Sequence, residues 1–504
     1  MARGFRKLDD RRRRVFALVA VAILLAVAVG VLYRPGPGAK PFGGPRGTPY
    51  PVPPPNCAVA DMPGQTTEPS IAVSRTDNNT IVVGANDLNT PTGIVWCGHY
   101  VTHDGGKSWK QGLIGGYPQG PRNALTGFRD TCDSNIVSDS KGNFYYVGVA
   151  YNRVPPPSIP SGFRTMVGPS AIFFAKSTDN GDTFSQVVLA RPTALTHAQF
   201  NDKPVVAVDD NTGDVYIAWS SFHIGAVIGG CQLMVIRSTD GGSSWSSPVT
   251  VDGSYTGGDN WGVSIVVDQN STVHVGWPEA SMSAIRYARS TDKGATFSAP
   301  VEVAAIVYQP TPLPPTHFRT PMQTQMAIDR GATETRGSLY LVWVDYASGD
   351  ADAYLAASHD AGSTWSDPVR VNNDTEGNGI DQFFAAVTVT DEGWVHVGFY
   401  DRRSDPDNVM LEYWWAISFD GGASFPLNLP MSDVAFDGDL SQEGDLSFIG
   451  DYTGISSANG TVAAVWCDTR RATESAPDSD IYGAVVPYRE LLKTNKFANV
   501  TVPW

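Results

Sequence analysis

The chain has 504 residues with few charged residues (17%), many Gly (51) and Pro (36), and 11% aromatic residues. This composition is typical of short strands joined by tight turns, and no long stretch has the apolar spacing of a capped helix. The net charge is −15; eight basic residues against two acidic ones give residues 1–34 a charge of +6, which leaves −21 for the rest. A protein body this acidic repels the phosphate backbones of nucleic acids, which excludes nucleic acid as a partner.

The N-terminus predicts a membrane anchor. A basic tail, residues 1–14, precedes an uncharged apolar run at 15–33, which has about the length that spans a bilayer. Basic residues stay in the cytoplasm, so everything after Tyr33 is expected outside. The alternative is a signal peptide cleaved near Ala26-Val27-Ala28, which would give a secreted protein. The long basic region and the continuing apolar run favour an uncleaved signal anchor and a single-pass membrane protein.

Residues 34–56 are rich in Pro and Gly and are predicted to be an extended linker. The body follows at 57–490, with a C-terminal tail at 491–504. Five cysteines lie beyond the anchor without the spacing of a zinc site. They are compatible with one or two disulfides in an oxidising compartment or with buried free thiols, and both alternatives stay open.

One octapeptide, Ser/Thr-x-Asp-x-Gly-x-x-aromatic, recurs six times at spacings of 52 to 75 residues. The Asp side chain accepts hydrogen bonds from the following backbone and the Gly takes a positive φ, so each copy is predicted to be a turn between antiparallel strands. A structural role is therefore expected for the six aspartates: Asp104, Asp179, Asp240, Asp292, Asp360 and Asp420.

A second feature recurs seven times, a β-rich run that mostly ends in an aromatic residue, as in VYIAW (215–219) and VAAVW (462–466). Together the two features give four short strands per repeat, which predicts an all-β fold and a single β-propeller. Seven blades are favoured over six. The seventh unit has only three clear strands, so it is expected to borrow its fourth from residues 57–61.

The six octapeptides resemble the Asp boxes of the sialidase-like (BNR-repeat) propellers over residues 57–490. Membership of that family implies an Arg triad, a Tyr/Glu nucleophile pair and an Asp acid/base. The nearest candidates for the nucleophile pair are Tyr452, in GDYTG, and Glu443. The one match to the Phe-Arg-Ile-Pro-type motif is Phe318-Arg319-Thr320-Pro321, which follows the fourth box instead of preceding the first.

Acidic residues gather on the predicted face opposite the Asp boxes. Converging carboxylates raise one another's pKa, so one can remain a proton donor while another stays ionised. Asp401 and Asp468 precede arginines and are predicted to act as base, nucleophile or cation ligand, with Asp202 or Glu279 as the proton donor. The starts of the first strands carry further acids: Glu68, Asp133, Asp202, Asp259, Asp381, Glu443 and Asp445.

Arginines among these acids are predicted to grip a substrate carboxylate: Arg402, Arg470, Arg319 and Arg129. No cofactor is required for such chemistry, although a bound Ca²⁺ would relieve the repulsion, with Asp345 and Asp381 as its ligands. The favoured function is an extracytoplasmic, sialidase-like exo-glycosidase acting on a surface or extracellular glycan or glycoprotein. The alternative is a non-catalytic cell-surface propeller that binds a protein or a glycan.

Overall fold

The computed structural model of the chain describes residues 53–60, 64–89, 94–116, 120–152, 170–192, 199–224, 228–252, 260–442 and 447–494. Within these residues no helix is long and apolar enough to cross a membrane. The predicted anchor at 15–33 lies outside them.

Seven antiparallel sheets are arranged as the blades of a propeller. The first blade contains β2 (Thr66–Val73), β3 (Ile81–Asp87), β4 (Trp96–Thr102) and β5 (Lys110–Leu113). The second contains β6 (Asp130–Ser138), β7 (Phe144–Tyr151), β8 (Ser170–Ser177) and β9 (Gln186–Pro192). The third contains β10 (Gln199–Val208), β11 (Val215–Ile224), β12 (Ile228–Ser238) and β13 (Val249–Thr250). Blades four and five are β14 (Ser264–Val267), β15 (Val273–Glu279), β16 (Ala284–Ser290) and β17 (Val301–Ala305), then β18 (Gln325–Ile328), β19 (Leu339–Asp345), β20 (Asp352–Ser358) and β21 (Val369–Arg370).

The sixth blade contains β22 (Gln382–Val389), β23 (Val395–Asp401), β24 (Met410–Ser418) and β25 (Leu427–Pro430), and β26 (Phe436–Asp437) also pairs with β24. The seventh contains β27 (Gly454–Ala458), β28 (Thr461–Asp468) and β29 (Asp480–Val486), and its outer strand is β1 (Asn56–Ala60) from the other end of the body. A short helix, α1 (Tyr488–Thr494), follows. The prediction of seven blades closed by an N-terminal strand is confirmed.

The first strand of each blade lies innermost. β2, β6, β10, β14, β18, β22 and β27 contact one another in that order, and β27 returns to β2, so the ring is closed. The aromatic residues of the recurring second-strand pattern are buried, among them Trp219, Trp277, Trp343, Phe399 and Trp466. Large aromatic side chains bury more apolar area than any others, which explains their place between the blades.

The six Asp boxes are turns between the third and fourth strands. In the third blade, Asp240 Oδ1 accepts from the Ser238 hydroxyl and the Ser244 backbone N–H, and its Oδ2 accepts from the Ser244 hydroxyl. Gly242 has a φ of +97°, and a Cβ there would lie 2.0 Å from the ring of Phe174 in the preceding blade. The turn therefore needs glycine both for its conformation and for blade packing. All six boxes lie on one side of the ring, which we call the Asp-box face; the opposite side is the site face.

All five cysteines are free thiols: Cys57 is half-buried, whereas Cys97, Cys132, Cys231 and Cys467 are buried. Of the two alternatives left open by the sequence, the structure shows free thiols.

Candidate functional site

A buried lysine joins carboxylates from three other parts of the ring at the propeller axis. Lys203 Nζ lies 2.6 Å from Glu68 Oε1, 2.6 Å from Asp133 Oδ1 and 2.9 Å from Asp451 Oδ2. Lys203 belongs to the third blade, whereas Glu68, Asp133 and Asp451 belong to the first, second and seventh blades. The lysine side chain is only 7% exposed. We call Glu68, Asp133, Lys203 and Asp451 the axial cluster.

Three members of the axial cluster occupy bulges in the first strands. The strand register shifts at Glu68, Asp133 and Lys203, and each residue has a left-handed φ, of 56°, 57° and 48° respectively. A residue other than glycine in this conformation costs on the order of 1 kcal/mol, and such strain concentrates at functional sites. The bulges interrupt the regular alternation of side chains, which lets these charged groups meet at the axis.

A glycine lets the fourth member approach. Gly450 has a φ of +89°, and a Cβ there would lie 2.8 Å from the backbone nitrogen of Glu68. Any larger residue would push the segment before β27 away from β2. The position of Asp451 against Lys203 therefore depends on this glycine.

The three carboxyl groups of the axial cluster differ in their protonation state. Burial raises the pKa of Glu68 well above its usual value, which keeps this carboxyl protonated. Burial acts on Asp133 in the same direction, but the ammonium of Lys203 outweighs it and holds the pKa of Asp133 well below its usual range. The pKa of Asp451 is lowered too, because Arg319 and Lys203 together overcome its burial.

Asp202 is the proton-bearing acid at the edge of the cluster. It is half-buried, it shares a hydrogen bond with Asp133, and its Oδ2 accepts from Trp261 Nε1 at 3.1 Å. Burial and the neighbouring Asp133 raise the pKa of Asp202 to about 8. At neutral pH this carboxyl is therefore mostly protonated.

Arg319 provides an accessible positive charge beside the cluster. Its Nε and Nη2 bind the two oxygens of Asp451 at 2.6 and 2.5 Å, and its guanidinium lies 4.8 Å from the ring centre of Phe448. The side chain is nevertheless 53% exposed, and within the described residues Nη1 makes no hydrogen bond. With Glu68 and Asp202 protonated, Lys203 and Arg319 balance the charges of Asp133 and Asp451.

Tyr452 lies next to the cluster. Its ring centre is 5.0 Å from Lys203 Nζ, and its hydroxyl donates to the carbonyl of Ser134 at 3.4 Å. Burial and the neighbouring Glu68 raise the pKa of Tyr452 well above its usual value, so the hydroxyl is neutral. Its predicted partner Glu443 lies outside the described residues, and Glu68 is the carboxyl near this tyrosine.

Asp401 and Arg402 do not reach the axial cluster. Asp401 has no exposed surface, and its Oδ2 lies 2.7 Å from Arg403 Nη2, whose guanidinium packs on Trp414 at 4.1 Å. Arg402 is also fully buried, and it donates to Asp381 and Thr316. These contacts are structural, because a side chain without exposed surface cannot grip a substrate.

Asp468 and Arg470 form a similar pair in the seventh blade. Asp468 Oδ2 lies 2.7 Å from Arg470 Nη2 and is buried, and the same arginine also binds Asp433 at 2.8 Å. Its guanidinium lies 3.9 Å from the ring centre of Tyr482. Asp401 and Asp468 are therefore each bound to an arginine two residues further along the chain, and both pairs lie at the ends of second strands, outside the ring of first strands.

The remaining candidates are also dispersed. Glu279 pairs with Arg286 at 3.2 Å in the fourth blade, and Arg129 is exposed. Asp345 accepts from the backbone of Val307 and Ala347.

The predicted metal ligands do not form a coordination shell. Asp381 accepts from Ala351, Arg402 and Asn408, so its oxygens are already used. No group of three acidic, His or Cys side chains in the described part of the chain is arranged to hold a metal ion. A calcium site stays a prediction.

Lys203, Asp451 and Trp261 were not predicted as site residues. A signal for Lys203 exists in the sequence, because Glu68-Pro69 and Lys203-Pro204 start equivalent strands. Superimposing the blades on these prolines places a lysine at the position of the glutamate. Nothing comparable marks Asp451, whose neighbours become visible only in the closed ring.

Beneath the cluster, a channel of about 400 Å³ follows the propeller axis and is lined by the seven first strands. Asp133, Lys203 and Tyr452 line it at the site face. Arg75 and Arg330 line it towards the Asp-box face.

No protein-family model matches the sequence, and no curated protein matches it. Several solved structures are similar in architecture. A protein of unknown function from Dyadobacter fermentans is 13% identical, with 85% of this chain and 97% of that chain covered and a TM-score of 0.46.

A Hadza microbial sialidase is 15% identical, with 79% of this chain and 74% of that chain covered and a TM-score of 0.45. An ulvan lyase from a new family of polysaccharide lyases is 14% identical, with 87% of this chain and 99% of that chain covered and a TM-score of 0.48. Identities and TM-scores this low say nothing about the activity of this chain. Its propeller fold rests on the order and pairing of its strands.

Proposed function

We propose that this propeller is a glycan-cleaving enzyme that works outside the cytoplasm, with Asp202 as its proton donor. The observation that carries the proposal is the position of Asp202, a half-buried carboxyl that hydrogen-bonds to Trp261 and to the buried, ionised Asp133. General acid catalysis of glycoside cleavage needs such a pair, in which one carboxyl is protonated and a neighbour is ionised.

The groups around Asp202 suit a sugar with an anionic substituent. The half-buried indole of Trp261 offers an apolar surface for a sugar ring next to the acid. The exposed guanidinium of Arg319 can donate hydrogen bonds from Nη1 to a carboxylate or sulfate group. Asp202 would protonate the glycosidic oxygen as the bond to the anomeric carbon breaks. Tyr452 is our candidate for the nucleophile: as its oxygen attacks the anomeric carbon, its hydroxyl proton would pass to Asp133, the ionised carboxylate nearby.

The test is a panel of fluorogenic glycosides, with neutral and acidic sugars, assayed with and without calcium. We expect turnover of an acidic glycoside, and Asp202→Asn should lower kcat at least about 100-fold, the usual contribution of a general acid. The rate should fall as the pH rises above about 8, because the pKa of Asp202 is about 8 and the donor then loses its proton. Asp202→Asn should lose this pH dependence.

Asp87→Asn is the matched control. Asp87 is also a half-buried acid with a raised pKa, caused by burial, but it lies at the end of a second strand and is bound to Tyr100 and Asn89. Equal activity of Asp202→Asn and the wild type would refute the assignment of the acid. Saturable glycan binding without turnover of any substrate would instead support the non-catalytic alternative.

A further inference from the structure

The far mouth of the axial channel, on the Asp-box face, carries two arginines that converge on one carboxylate. Arg75 Nη1 lies 2.5 Å from Asp210 Oδ2, and Arg330 Nε lies 3.7 Å from the same oxygen. The three residues follow β2, β10 and β18, in the first, third and fifth blades. Because these blades are not neighbours, the three side chains reach across the mouth.

The charges at this mouth do not cancel. Two guanidiniums face Asp210, whose other oxygen accepts from the backbone N–H of Ser140. A further acid that lines the channel, Asp391, accepts from the backbone N–H of Asn459 and lies 3.9 Å from another arginine, Arg489. Among the side chains at the mouth itself, one positive charge is therefore left over between Arg75 and Arg330.

Arg330 is the less compensated of the two arginines. Its only ion pair in the described part of the chain is the 3.7 Å contact with Asp210, and its Nη2 donates weakly to the carbonyl of Val267 at 3.5 Å. Partial desolvation and the nearby Arg75 lower the pKa of Arg330, the direction expected where a positive charge lacks an anion. Its side chain is still 40% exposed, so a ligand can reach it.

We propose that the mouth of the channel on the Asp-box face binds a small oxyanion, of the phosphate or sulfate type, between Arg75 and Arg330. Each guanidinium presents a planar fork of donors that matches two oxygens of such an anion. The ligand would neutralise the excess charge and fasten the first blade to the fifth. This site is independent of the proposed glycan site, which lies at the other end of the channel.

The experiment titrates the purified protein with inorganic phosphate and, separately, with sulfate, following heat by calorimetry and the melting temperature. Sodium chloride at matched ionic strength controls for screening. We expect saturable binding and a rise in the melting temperature with the oxyanions but not with chloride. Arg75→Gln and Arg330→Gln should each abolish saturation.

Two further variants keep the test decisive. Arg237→Gln removes a peripheral arginine paired with Asp214 and should leave binding unchanged. Asp210→Asn removes the competing carboxylate and should tighten binding about fivefold, the effect of one unit charge at close range in water. Equal responses to chloride, or saturable binding retained by the folded Arg75→Gln/Arg330→Gln double variant, would overturn the proposal.

Discussion

Asp202 links the protonation state of the axial cluster to the stability of the fold. Its pKa is raised from 3.8 to about 8 by burial and by Asp133. An acid with a raised pKa contributes stability that is fully present below the pKa of the unfolded chain and is lost as the pH rises through the folded pKa. We therefore expect its contribution to the melting temperature to decline between about pH 4 and pH 8.

The measurement is a series of thermal melts from pH 5 to pH 8.5. Asp202→Asn should flatten the decline, because an amide does not titrate in this range, whereas Asp87→Asn should leave most of it in place. Identical slopes for the wild type and Asp202→Asn would show that Asp202 ionises normally.

Asp401 provides a contrasting residue. It is buried and bound to Arg403, so Asp401→Asn removes the carboxylate closest to that arginine. Breaking a buried ion pair in this way is expected to destabilise the protein by roughly 3 kcal/mol. Denaturant unfolding should show this loss, while the folded fraction keeps its activity per molecule. A stable but inactive Asp401→Asn would restore the catalytic role predicted from the sequence.

Part of the site could be predicted from the sequence, because Asp202, Arg319 and Tyr452 were named and do lie around the axis. Asp401 and Asp468, the acids favoured from the sequence, lie outside the axial cluster for a physical reason. Each of these acids lies two residues from an arginine, and such short-range pairs satisfy themselves locally. The axial cluster instead joins positions from 68 to 451 through bulges and ring closure, which no local pattern encodes.

At the level of elements, the Asp box is a turn that the sequence predicts well, since the hydrogen bonds that its aspartate accepts lie within eight residues. The hydroxyl of Ser244, the backbone around it and the hydroxyl of Ser238 lower the pKa of Asp240 to about 2. A lowered pKa means that the stabilisation is present above about pH 4, the pKa of an unfolded aspartate, and is lost as the pH falls towards 2.

Asp240→Ala should therefore lower the melting temperature at pH 7 and differ less from the wild type as the pH approaches 2. Asp367→Ala, at an exposed aspartate just after the box of the fifth blade, is the control and should behave like the wild type. Activity at low temperature should be normal in both variants. An unchanged melting temperature for Asp240→Ala would show that the turn holds without its carboxylate.

The bulges are the elements that the sequence did not reveal. Glu68, Asp133 and Lys203 occur in β-rich segments that look regular, yet each has a left-handed backbone. Alternation patterns describe regular strands, and one extra residue changes the side to which the following side chains belong. The strands were therefore predictable, whereas the direction of their first polar residues was not.

For the whole molecule, the number of blades was predictable because the second-strand pattern occurs once in each blade, even where the Asp box is missing. The orientation relative to a membrane stays a prediction. The basic cluster before the apolar run at 15–33 predicts that the body lies outside the cytoplasm. A C-terminal fusion should accordingly be digested by protease added to intact cells, with a cytoplasmic protein as the protected control. Protection of the fusion would reverse the topology, and its release into the medium would indicate cleavage.

The pairing of β1 with β29 has a consequence for the order in which the molecule assembles. It joins Asn56 to Ala484, so the strand that emerges early must wait for almost the entire body before it finds its partner. Contacts between such distant positions form slowly, since the intervening chain must first be ordered. This seam should be the last part of the ring to close during folding and the first to open. Backbone amides of β1 and β29 are therefore expected to exchange with solvent faster than those of any other pair of adjacent strands.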